Sequence, residues 1–201
     1  MTQIYNKVAL IGLGLIAGSI GLAMKRAGLS GEIRGHARSS ETRDTALSLG
    51  LVDKIFDTAA EAVEGADLVV LCVPVGVMGN VASAIVSSLK AGAVVSDVGS
   101  VKAKVIEMVG IHMPKDVHFI PAHPIAGTEN SGPNAGFAEL FDGKWTILTP
   151  AGDASEDEVA KLRTFWEKLG ANVDVMDPER HDLVLSVTSH VPHLIAYTMV
   201  G

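Results

Sequence analysis

The stretch that most limits what this chain can fold into is Gly12-Leu13-Gly14-Leu15-Ile16-Ala17, wedged between an apolar run at residues 7–11 and a helix-spaced segment at 15–27 that ends before Gly28. A strand, a turn without side chains and a helix in immediate succession form the first βα unit of a dinucleotide-binding domain. The reason is the pyrophosphate, which needs bare backbone N–H groups at a helix N-terminus. Gly12 and Gly14 clear the approach, with Leu15 and Ile16 as the first helical residues beside it. Alone the pattern also fits a tight turn in any α/β domain. Its weight comes from standing at the start of a βαβ pattern.

That pattern continues. Residues 33–37 read as a second strand and 41–49 as a helix stopped by Gly50. Residues 67–73 are nearly all apolar, as in a parallel strand covered on both faces, and Pro74 ends them. A helix is predicted at 77–89, a strand at 93–97, a helix at 101–109 and a strand at 117–121. The alternation implies an α/β, doubly wound Rossmann-like sheet. Residues 127–143, rich in glycine and polar side chains, break the pattern and read as an active-site loop with a short helical turn. A strand at 145–149, an amphipathic helix at 156–169 with Val159, Leu162, Trp166 and Leu169 on one stripe, and a short strand at 173–175 follow. Asp177 then suits an N-cap and Pro178 the first helical position of a helix running onward to residue 201.

Composition narrows the function. The 201 residues are 48% hydrophobic, enough for one full domain, and 16 basic against 23 acidic residues give a net charge of −7. With 4% aromatics and no Lys/Arg-rich block, nucleic-acid binding is not expected. Cys72 is the only cysteine, which excludes an intramolecular disulfide and suits a reducing, cytoplasmic compartment. No signal peptide, membrane span or metal site is expected. An enzyme acting on small molecules fits best.

An NAD-preferring site commonly places a carboxylate at the end of the second strand to accept hydrogen bonds from the ribose. Here Gly35-His36-Ala37-Arg38-Ser39-Ser40 offers none before Glu41. Arg38 with Ser39 and Ser40 suits a 2′-phosphate instead, so NADP is favoured over NAD. The simpler alternatives are a solvated Arg38 and a serine N-cap. Val73-Pro74, Asp97-Val98-Gly99-Ser100 and His123-Pro124 each follow a predicted strand, so all three converge at the carboxyl ends of the sheet, where ligands bind. His123 thereby becomes the candidate imidazole at the nicotinamide.

Four ordered motifs then stand together: Gly12-Leu13-Gly14-Leu15-Ile16-x-Gly18-Ser19, Asp97-x-Gly99-Ser100-Val101-Lys102, His123-Pro124-Ile125-Ala126-Gly127-Thr128-Glu129-x-Ser131-Gly132, and Ser189-His190-x-Pro192-His193. Over essentially its whole length the chain resembles the prephenate/arogenate dehydrogenases of tyrosine biosynthesis. The resemblance implies oxidative decarboxylation of prephenate or arogenate with reduction of NAD or NADP. It gives His123 the proton of the substrate's C4 hydroxyl while C4 delivers hydride, and sets Ser100 beside that histidine and the cofactor. Ser100 also suits an N-cap for the helix at 101–109. His181 and His193 match family histidines near the substrate carboxylates, although on an ideal helix they stand about 120° apart unless Pro192 kinks it. Interhelical packing is their alternative, and loop ordering is that of Thr128 and Glu129, which match positions near the substrate. Family members continue into an all-helical domain that forms a homodimer and supplies an arginine to the substrate. Residues 1–176 are therefore expected to be the dinucleotide-binding domain and 177–201 the first helix of that second domain, with the substrate pocket incomplete without it. Two rivals remain: another oxidoreductase of the β-hydroxyacid dehydrogenase type, which leaves the His123 motif unexplained, and a redox-inert NADP-binding module.

Overall fold

The computed structural model describes residues 3–150, 154–190 and 198. Six parallel strands form the main sheet, β1 (Tyr5–Ile11), β2 (Ser30–His36), β3 (Lys54–Ile55), β4 (Leu68–Leu71), β5 (Val94–Asp97) and β6 (His118–Phe119), in the order β3-β2-β1-β4-β5-β6. Five helices alternate with them: α1 (Leu15–Ala27), α2 (Ser40–Ser48), α3 (Ala59–Val63), α4 (Val75–Ile85) and α5 (Ala103–Gly110). The strand order reverses between β1 and β4, which opens the crevice where such sheets bind ligands. Side chains along β1 alternate between two cores, Val8 and Leu10 facing one and Ala9 and Ile11 the other. That double burial explains the unbroken apolar runs at β1 and β4.

After β6 the chain leaves the main sheet. The N–H groups of His118 and Ile120 donate to main-chain carbonyls at β5, but the next in that row, the Ala122 N–H, donates to the Asp97 side chain (3.2 Å), and the backbone ladder ends there. Instead β7 (Ala122–Pro124) pairs antiparallel with β8 (Trp145–Leu148), which pairs parallel with β9 (Asn172–Val175) across helix α6 (Glu156–Lys168). His123 thus sits within a strand of a second, three-stranded sheet. Leu162 and Trp166 of the predicted stripe are buried, and Leu169 follows them as the C-cap.

Glycines set how closely these layers pack. A Cβ on Gly21 would lie 1.9 Å from the Leu51 carbonyl oxygen, and one on Gly136 would lie 3.0 Å from the Gly18 backbone. The loop at 127–143, with a 3₁₀ turn at Pro133–Ala135, is therefore seated on α1, where the Phe137 N–H also donates to Ser19 Oγ (3.1 Å). Asp177 caps α7 (Pro178–Leu185) by accepting the N–H groups of Glu179 and Arg180, with Pro178 in the first turn. The helix widens into a π turn at Ser186–His190. Pro192 and His193 lie outside the described residues. No helix among the described residues is long and apolar enough to cross a membrane.

Candidate functional site

The cradle for a dinucleotide is built from the β1–α1 turn. Gly12 has φ +94°, a Cβ there would meet the Cys72 carbonyl oxygen at 2.6 Å, and its N–H donates to the His36 carbonyl (2.8 Å). Only glycine crosses at that point. A Cβ on Gly14 would meet nothing within 4 Å, so the turn faces open space. Helix α1 begins there with no side-chain cap and no acidic residue in its first turn. Its orphan N–H groups and positive helix end suit a pyrophosphate. Leu15 and Ile16 stand in that first turn, half-buried, and Val73 borders it, its Cγ1 being 2.9 Å from where a Gly12 Cβ would lie. Pro74 is the N-cap position of α4.

At the end of β2, Arg38 is exposed and its side chain makes no hydrogen bond to the described residues, so its guanidinium is available to an anion. Ser39 is the N-cap of α2, accepting the Thr42 N–H at 3.4 Å, while Ser40 opens the helix. Sequence reasoning missed Arg43, which braces this corner by donating to the Ala37 carbonyl (2.8 Å) and to Asp57 (3.0 Å).

His123, in β7, is 9% exposed, and its Nδ1 lies 2.9 Å from Nε2 of His181 in α7. His181 is 0% exposed, and its own Nδ1 lies 2.8 Å from Asp182 Oδ1. Both ring nitrogens of His181 are therefore engaged, and no ring nitrogen is left for the substrate carboxylate expected of it; burial behind His123 is the reason. The Asp182 carboxylate also accepts the N–H groups of Lys102 (2.7 Å) and Ala103 (3.0 Å). It thereby caps α5. Ser100, expected as that cap, is exposed, and the helix starts two residues later than predicted.

The charges fix the proton positions. Burial pushes the Asp182 carboxyl up, but the Lys102 N–H, the His181 ring and the Ala103 N–H outweigh it and hold its pKa below the usual range. Burial lowers the His181 pKa despite the neighbouring Asp182. A neutral His181 facing an ionised carboxylate must place its proton on Nδ1 and its lone pair on Nε2. His123 then donates its Nδ1–H to His181, which puts its basic lone pair on Nε2. Chemically, this arrangement is a buried imidazole base with a defined tautomer.

A second buried pair lies beside it. Lys102 Nζ donates to Asp97 Oδ2 (2.5 Å), both side chains being fully buried. Burial pushes the Asp97 carboxyl up and the Lys102 ammonium down, each opposed by the other's charge. Sequence reasoning passed over Asp97 and Lys102 as individual residues. The signal was there: a lysine at a helix entry, five residues after a strand-end aspartate. In the loop that follows β7, Thr128 and Glu129 are exposed and line an open cavity of about 670 Å³ with Asn130, Ser131, Asn134 and Phe137. Thr128 Oγ1 accepts the Asn130 N–H (3.2 Å), so it also orders the loop.

A doubly wound sheet with an uncapped glycine turn and a tautomer-fixed histidine on the neighbouring sheet defines the nucleotide-binding domain of a dehydrogenase. The family described as "Prephenate dehydrogenase, nucleotide-binding domain" matches residues 20–175. A cyclohexadienyl dehydrogenase of Zymomonas mobilis is 42% identical over 198 residues, 98% of this chain and 67% of that protein. A prephenate dehydrogenase of Bacillus subtilis is 34% identical over all of this chain and 54% of its own length. The crystal structure of prephenate dehydrogenase from A. aeolicus, in complex with hydroxyphenyl propionate and NAD+, superposes with a TM-score of 0.89 at 33% identity, covering 97% of this chain and 68% of that one. The chain belongs to the prephenate dehydrogenase family. It spans about two thirds of the Zymomonas relative and about half of the Bacillus one.

Proposed function

We propose that the protein carries out the oxidative decarboxylation of prephenate or arogenate with reduction of NADP, or of NAD, in tyrosine biosynthesis. The observation that carries this reading is the His123–His181–Asp182 chain, which leaves His123 with a basic lone pair on Nε2. The bound nicotinamide supplies the hydride acceptor. His123 takes the proton of the C4 hydroxyl as C4 loses its hydride, and a carbonyl develops at C4. The bond from the ring to its carboxylate then breaks, CO₂ leaves, and the electron pair enters the ring and aromatises it, the hydroxyl proton being returned to the C4 oxygen. Ser100 is the hydroxyl beside His123 and the cofactor, Thr128 and Glu129 face the substrate, and His193 holds a carboxylate. His181 serves here as the partner that orients His123.

For the cofactor, Gly12, Gly14, Leu15 and Ile16 hold the pyrophosphate and Val73 and Pro74 border the nicotinamide side. Arg38, Ser39 and Ser40 hold a 2′-phosphate, a reading supported by the exposed Arg38 and the absence of a carboxylate at the end of β2. Residues 1–176 form the nucleotide-binding domain, and the helix from 177 opens a helical domain through which a cytoplasmic homodimer assembles. Leu183 and Val187, one helical turn apart and 67% and 64% exposed, support further packing on that helix. The test is a four-way initial-rate assay on the intact protein, both substrates against both cofactors. Reduced nicotinamide with either substrate is expected, at higher kcat/KM with NADP+. No turnover in any of the four combinations overturns the reading.

A further inference from the structure

The buried pair of Asp97 and Lys102 takes no part in the chemistry above, yet it grips the strand that carries the base. Lys102 Nζ donates to the Ala122 carbonyl (2.7 Å) as well as to Asp97, and Asp97 Oδ1 accepts the Ala122 N–H (3.2 Å). Both main-chain polar groups of the residue before His123 are thus held by one ion pair. Asp97 Oδ2 also accepts the Gly99 N–H (2.7 Å), which fixes the carboxylate from below.

That strand needs such a grip. β7 is three residues long, lies at the edge of its sheet and ends in Pro124, which has no N–H to add to a ladder. The ion pair takes the place of a neighbouring strand, offering one acceptor and one donor to Ala122. It also joins two layers, since Asp97 ends β5 of the main sheet while Ala122 belongs to the second. The main-chain N–H of Lys102 meanwhile binds Asp182, the carboxylate that orients His181. One residue therefore restrains the His123 backbone through its side chain and the His123 ring through its main chain.

Stability alone does not account for the pair. Fully burying two charges costs solvation that their attraction often fails to recover, and apolar replacements of similar size are frequently neutral or stabilising. The geometry points to Asp97 and Lys102 as positioning residues, an ion-pair clamp that sets the depth and orientation of His123 against His181. This inference rests on His123 being the base.

The test is the double variant Asp97→Asn/Lys102→Met in the intact protein, which removes both charges together and strands neither. Three quantities are read: kcat and KM, the dinucleotide Kd, and the ¹⁵N shifts of the His123 ring. A clamp predicts a fall in kcat of roughly 10- to 100-fold, the scale of a misplacement of about 1 Å. KM and Kd stay close to wild type, and the His123 ring changes from one fixed Nδ1–H tautomer to an exchanging mixture. In a His123→Asn background the same pair of substitutions should cost little further, because the clamp acts through that ring. Wild-type kcat with an unchanged tautomer overturns the proposal, as does an equal loss in the His123→Asn background. If the double variant is insoluble, Lys102→Gln reads the same quantities. Absence of turnover in the unaltered protein defeats the assigned reaction, while the ring shifts still decide the clamp.

Discussion

Replacing Asp182 with alanine removes three hydrogen bonds at once: those from the Lys102 N–H (2.7 Å), the Ala103 N–H (3.0 Å) and His181 Nδ1 (2.8 Å). The first two cap α5, whose own N-cap position has no side-chain bond to offer. Loss of such a cap costs about 0.5–2 kcal/mol, and loss of a hydrogen bond to a charged group about 1.5–3 kcal/mol. Because the bonds share one carboxylate they do not simply add, and about 2–4 kcal/mol is expected in total. For a chain of this size that lowers Tm by roughly 5–15 °C. The pH dependence has a definite sign. The Asp182 carboxyl is held below its ordinary range. Its contribution is therefore whole above about pH 4 and is lost as pH falls through the depressed folded value. Thermal melts of both proteins should differ fully at pH 7 and converge only in strong acid. Turnover at pH 7 should fall by about 10²-fold, since His181 is no longer held in the tautomer that orients His123. An unchanged Tm refutes the cap, and a lowered Tm with normal kcat refutes the link from Asp182 to the base.

Three further outcomes are expected. His123→Asn should lower kcat by about 10² to 10⁴ with cofactor binding intact, as when a positioned base is lost; near-normal kcat would remove His123 from the mechanism. Arg38→Ala should raise the Kd for NADP+ by roughly ten- to a hundredfold and leave that for NAD+ almost unchanged; calorimetric titrations showing equal losses for both exclude a 2′-phosphate contact. Gly12→Ala should destabilise the fold by more than about 1 kcal/mol and abolish tight dinucleotide binding, because φ +94° and the Cys72 carbonyl at 2.6 Å leave a Cβ no place. A variant that melts and binds like the parent would show that the turn relaxes.

What was readable in the sequence was local, and what was not readable was long-range. The helix at 15–27 and the apolar strands β1 and β4 follow from periodicity and from burial on both sheet faces, so their positions agree with expectation to within a few residues. The short α3 was missed although Thr58 and Glu61 form a capping box, a signal four residues long that stood in plain view. Ser100 satisfied every local rule for a cap, yet α5 is capped by Asp182, 80 residues further along the chain. Sequence spacing weighs His181 only by its angle to His193 on an ideal helix, while its partner in the structure is His123, 58 residues away. Motif spacing locates a histidine after a strand. Its tautomer, and so which nitrogen is basic, is decided by the elements that fold back onto it, here the entry of α5 and the first turns of α7. Those contacts obey no fixed spacing. The residue type alone therefore marks a candidate base, and only the packed neighbours make it one.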